Sequence, residues 1–151
     1  MKSLPLTQKR NDDMRYVVID TNVIVSAFLA FNRQTSAPYF VVSAAFAGII
    51  TPVLTTSIMK EYREVLTRKK FGFDPKMIET FLLELKTQSV FINPSTTRKK
   101  LPDPKDKCFY DAAVVYEAIG GLLVTGNVKH FPDCPFVVTP AQLKERLSVN
   151  L

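Results

Sequence analysis

A short apolar run, Tyr16-Val17-Val18-Ile19, ends in Asp20 and is followed at once by Thr21 and Asn22. An unbroken apolar run closed by polar residues fits a strand buried on both faces, the kind found in a parallel sheet. The same segment puts a carboxylate at the strand's carboxyl end, where open α/β sheets bind their ligands. Burying an unpaired charge is costly. Asp20 therefore reads as a metal ligand on a rigid element rather than as a structural residue.

The rest of the chain alternates between the two periodicities. Val23 to Phe31 reads as a short helix, and Ser36-Ala37-Pro38 opens a second with Ser36 as cap and Gly48 near its end. Ile49 to Leu54 is strand-like, and Thr55-Thr56-Ser57 offers caps for a helix through about Lys70, ended by Phe71-Gly72-Phe73. Asp74-Pro75 starts a helix with Met77, Ile78, Phe81, Leu82 and Leu85 on one face. Val90 to Ile92 is a short strand, and Asn93 to Pro102 a polar, basic loop. Asp103-Pro104 begins a helix that ends near Gly120-Gly121. Leu122 to Val124 and Phe136 to Val138 are the last strands, and Thr139-Pro140-Ala141-Gln142 is a capping box opening the final helix. Strands that alternate with helices imply a three-layer α/β/α architecture around a central parallel sheet.

At 151 residues the chain is long enough for one domain with a real core. Residues 1–14 are polar and aperiodic and read as a flexible leader, with Met14 a candidate natural start, so residues 15–151 form the domain. No apolar run approaches a membrane span and no signal-peptide core is seen, so a cytoplasmic protein without membrane contact is expected. Cys108 and Cys134 lack metal-ligand spacing and fit a reducing compartment.

Polar groups recur at strand ends and helix starts: Asp20, Glu61, Asp103, Asp106 and Asn127. In a parallel sheet these positions share one edge and can converge. Clustered carboxylates repel one another unless a cation neutralises them. Oxygen ligands suit Mg2+ or Mn2+, and a single histidine, His130, excludes a His-rich zinc site. The formal net charge of +6, much of it in Arg68-Lys69-Lys70, Arg98-Lys99-Lys100 and Lys105 with Lys107, favours a polyanionic partner, either nucleic acid or an acidic protein. Plainer roles compete at each position. Asp103 is a good N-cap, Asp106 suits a helix dipole, and Glu61 fits a solvated helix face. Asp111 can face the pocket or pair with a lysine, Asn127 fits a turn, and His130 fits a surface or turn position.

The order Val17-Val18-Ile19-Asp20-Thr21-Asn22-Val23, then Glu61-Tyr62-Arg63-Glu64, then Asp103-Pro104-Lys105-Asp106, then Thr125-Gly126-Asn127 resembles the PIN-domain family. Within it the chain is most similar to the toxin components of toxin–antitoxin pairs. The resemblance implies a ribonuclease dependent on Mg2+ or Mn2+, with Asp20, Glu61 and Asp106 as metal-binding acids. Asp111 is the rival for the third acid and Asp103 lies close by. The fourth position, usually Asp in the family, is Asn127 here, which supplies no charge and can weaken both metal binding and activity. Thr21, Asn22 and Thr125 are candidates to hydrogen-bond the acids or the scissile phosphate, and Lys129 and His130 are weaker ones. RNA as substrate, an antitoxin partner and a homodimer follow from the resemblance alone. A PIN-like module that binds RNA or protein without turnover is the alternative. A phosphatase on a similar sheet is disfavoured, because its second Asp would stand where Asn22 does.

Overall fold

The computed structural model describes residues 15–33 and 35–149, so the leader expected at residues 1–14 lies outside the described residues. Five parallel strands form one sheet in the order β3-β2-β1-β4-β5. They are β1 (Tyr16–Ile19), β2 (Thr51–Leu54), β3 (Val90–Phe91), β4 (Leu122–Val124) and β5 (Val137–Val138). The helices are α1 (Thr21–Leu29), α2 (Ala37–Phe46), α3 (Thr56–Leu66), α4 (Pro75–Thr87), α5 (Lys107–Ala113) and α6 (Pro140–Val149). Together they make the three-layer α/β/α fold expected from the alternation.

The central strand explains the sheet. Val17, Val18 and Ile19 are each at most 1 % exposed, because β1 is flanked by β2 and β4 and covered on both faces. From β1 the chain moves outward through β2 to β3, then returns across the sheet to β4 and β5. Right-handed crossovers put these two excursions on opposite faces. α5 packs on β1, β2 and β4, while α2 packs against α1 and α6. The order thus reverses between β1 and β4, and their carboxyl ends flank the crevice where such sheets bind ligands.

Local signals set most boundaries. Ser36 Oγ accepts from Tyr39 N at 3.2 Å, and Thr55 Oγ1 accepts from Ile58 N at 3.0 Å. In the capping box, Thr139 N donates to Gln142 Oε1 at 2.8 Å and Gln142 N to Thr139 Oγ1 at 3.1 Å.

Four expectations are corrected. α3 ends at Leu66 rather than near Lys70, where the Thr67 hydroxyl takes the Arg63 carbonyl at 2.7 Å. α5 ends at Ala113, well before Gly120. The chain must turn there so that Tyr116 stacks on Tyr16, with ring centroids 4.2 Å apart, and Gly121 passes so close that a Cβ would lie 2.5 Å from Tyr116 Cβ. Met77 is 46 % exposed, because Ile78, Leu82 and Leu85 complete the buried face of α4. The first helix, read from Val23 to Phe31, spans Thr21–Leu29 instead, which leaves Phe31 63 % exposed just past its end. Among the described residues no helix is long and apolar enough to cross a membrane.

Candidate functional site

The site is built outward from the end of β1. Asp20 extends the ladder, its N–H donating to Val124 O at 2.9 Å, and it occupies the N-cap of α1 without capping it through its side chain. The carboxylate is instead held from β4. Thr125 Oγ1 donates to Asp20 Oδ2 at 2.7 Å, and Asn22 Nδ2 donates to the same oxygen at 3.2 Å. Asn22 also accepts from Gly126 N at 3.0 Å through Oδ1, which ties the start of α1 to the end of β4. Asp20 is 5 % exposed. Burial holds its carboxyl above the ordinary range, opposed by the Thr125 hydrogen bond and reinforced by the charge of Asp106.

Two further carboxylates reach this point from separate elements. Glu61 comes from α3, whose buried face is Ile58, Tyr62, Val65 and Leu66. Tyr62 is fully buried and its hydroxyl donates to the carbonyl of Ile19, the residue before Asp20, so α3 is fastened to the end of β1. Burial raises the Glu61 carboxyl, as do Glu64 and Asp20, while Arg68 and Lys105 lower it. Asp106 ends the 3₁₀ turn Pro104–Asp106 that leads into α5. Burial raises it too, the His130 hydrogen bond opposes this, and Asp103 and Glu61 add to the rise. Each of Asp20, Glu61 and Asp106 therefore lies within electrostatic range of the other two. Cys108 stands among them: burial first, then Glu61, Asp20 and Asp106, push its thiol up to about 12.

The remaining candidates fall in different places. Asp103 Oδ1 accepts from Lys105 N at 3.0 Å and caps the 3₁₀ turn. Asp111 is buried but faces the strap that follows β3. It accepts from Thr97 Oγ1 at 2.6 Å and Thr97 N at 3.2 Å, and lies 3.5 Å from Lys107 Nζ. Asn127 is exposed, and among the described residues its backbone rather than its side chain is engaged, its N–H donating to Thr125 Oγ1 at 3.0 Å. His130, expected at a surface or turn position, meets Asp106 Oδ2 through Nδ1 at 3.0 Å. Nothing local in the sequence marks that contact, since it spans 24 residues. Tyr62 reads as ordinary core from its helical spacing, and its link to Ile19 is likewise invisible in sequence.

The donor set fits a hard divalent cation in charge and type. Three carboxylates lie within electrostatic range of one another, and among the described residues none of them has a lysine or arginine at ion-pair distance. Thr21 Oγ1, beside Asp20, is the buried side-chain oxygen that lacks a hydrogen-bond partner among the described residues. The carboxylates are not drawn into one shell: among the described residues, no group of three or more His, Cys, Asp or Glu side chains is placed to hold a metal ion.

A cavity of about 410 Å³ is lined by Thr55, Ser57, Asn93, Thr96, Cys108 and Asp111 among others, and Cys108 links it to the three carboxylates. The strap bearing Arg98, Lys99 and Lys100 is anchored through Thr97, which Asp111 and Lys107 both hold.

The sequence model of the PIN domain matches residues 16–129. No curated protein and no solved structure matches the chain significantly.

Proposed function

The chain belongs to the PIN-domain family, whose members are generally nucleases that use divalent metal ions, and we propose that it is an endoribonuclease dependent on Mg2+ or Mn2+ and the toxin of a toxin–antitoxin pair. What supports the nuclease reading is that Asp20, Glu61 and Asp106, carried on three separate elements, lie within electrostatic range of one another around the carboxyl end of β1. These three side chains would hold the cation. When bound, it would activate water and stabilise the departing oxygen of a phosphodiester.

The protein's own groups do the rest. Thr125 and Asn22 keep one Asp20 oxygen fixed, and the Thr125 hydrogen bond favours the ionised carboxylate against the burial that disfavours it. Arg98, Lys99 and Lys100 sit on a strap tied down by Asp111, so they can hold the RNA backbone at a set distance from the acids, and Lys105 adds charge beside Glu61. An antitoxin partner and a homodimer are part of the same reading. Exposed Leu29 and Phe31 at the end of α1, and Met77 on α4, offer apolar surface for such contacts.

Cleavage of labelled RNA by wild type and Asp20→Asn in Mn2+, Mg2+ or EDTA tests the reading. Metal-dependent cleavage lost in the variant supports it. Asn127 favours a second reading, because an exposed amide stands where the family usually has an acid. On that reading the protein binds RNA without Mn2+ and leaves it intact.

A further inference from the structure

We infer that His130 is a positioning residue: by donating its Nδ1 proton to Asp106 Oδ2, it sets the orientation in which Asp106 meets the cation. The inference rests on the metal-site reading above and adds to it a residue outside the expected acids. With Asp106 ionised its carboxylate can only accept, so the 3.0 Å contact then takes its hydrogen from Nδ1.

The backbone delivers the ring to this place. After β4, Val128–His130 form a single 3₁₀ turn in which His130 N donates to Asn127 O at 3.0 Å. Phe131 follows at 2 % exposure and anchors the turn in the core. One short segment, 125–130, thus holds two of the three carboxylates, Asp20 through Thr125 and Asp106 through His130.

Asp106 has few other restraints. It stands at the N-cap of α5 without a side-chain capping bond, and among the described residues His130 is its side chain's hydrogen-bond partner. The pair is no ordinary surface contact: the Asp106 side chain is 13 % exposed, against 40 % for His130. Outer-sphere partners that orient a metal ligand typically change metal affinity about 10–100-fold when removed.

Two substitutions separate the ring nitrogens. The amide nitrogen of Asn can take the place of Nδ1, and that of Gln the place of Nε2. Calorimetric Mn2+ titration of RNA-free wild type, His130→Ala, His130→Asn and His130→Gln is the test, with imidazole ¹⁵N spectra of the metal-free wild type and Asp106→Ala at alkaline pH beside it. The expected result is a loss of about 10–100-fold in Mn2+ affinity for His130→Ala, recovered by Asn and not by Gln. The wild-type spectrum should show the Nδ1–H tautomer, and Asp106→Ala should lose that preference. Unchanged affinity in His130→Ala, with normal Mn2+ binding by wild type, overturns the inference and leaves the nuclease reading standing. Recovery by Gln instead of Asn overturns it as well, by moving the role to Nε2. A folded wild type that binds neither Mn2+ nor Mg2+ overturns the metal reading and this inference together.

Discussion

Thr125→Val removes one hydroxyl from the centre of the site and tests how Asp20 is held. Thr125 is fully buried, and its Oγ1 donates to Asp20 Oδ2 at 2.7 Å while accepting from Asn127 N at 3.0 Å. Valine has nearly the same shape, so no cavity term enters. Hydrogen bonds to charged groups contribute about 1.5–3 kcal/mol. The Asn127 N–H can turn to water, because Asn127 is exposed, and adds little. The expected loss is about 2 kcal/mol at neutral pH, or roughly 4–8 °C in Tm for a domain of this size. Thr125→Ser keeps the donor and gives up one buried methyl group, about 1 kcal/mol. Urea unfolding in EDTA across a pH series is the assay. The Thr125 bond favours the ionised carboxylate, so the loss in Thr125→Val should shrink as pH falls through the folded-state value of Asp20. A valine variant as stable as wild type, or a loss that ignores pH, refutes the account of how Asp20 is held.

Three other outcomes follow from the same geometry. Burial holds Asp20, Glu61 and Asp106 above their ordinary values, so between those values and the folded ones the native state binds more protons than the unfolded chain. Their contribution to stability is greatest below about pH 4 and is lost as pH rises through the folded values. Asp20→Asn in EDTA should therefore be more stable than wild type at pH 7 and converge on it in acid, as denaturant curves would reveal. Gly121→Ala forces its Cβ to 2.5 Å from Tyr116 Cβ, and a cost of about 1–3 kcal/mol is expected in thermal unfolding. Asn127→Asp, at an exposed position whose side chain makes no hydrogen bond among the described residues, should leave stability within about 0.5 kcal/mol. The same change should tighten Mn2+ binding in calorimetry, and an unchanged affinity would count against Asn127 as a ligand.

The parts of the fold legible in sequence are those governed by neighbours along the chain. The β1 run, the Ser36 cap and the Thr139–Gln142 box each announce themselves within a few residues, and all three form. Where α5 ends is decided by tertiary packing, through the Tyr16–Tyr116 stack and the close passage of Gly121, so Asp103 to Gly120 reads as one helix and is not. The site divides the same way. Asp20 stands out because a carboxylate closing a buried strand has few plain explanations. Asp106 is the N-cap of α5 and Asp111 lies within the same short helix, and only the folded strap shows that Asp111 is engaged by Thr97 and Lys107. His130 gives no local sign at all, because its partner is set by the distance between two turns in space rather than along the chain.

The most direct test of the central claim is Mn2+ titration of the RNA-free protein, comparing wild type with Asp20→Asn, Glu61→Gln, Asp106→Asn and Asp111→Asn. If Asp20, Glu61 and Asp106 make one cation site, each of the first three variants should lose saturable Mn2+ binding, and Asp111→Asn should retain it. Loss in Asp111→Asn together with normal binding in Asp106→Asn, or no saturable binding by a folded wild type, would contradict the account.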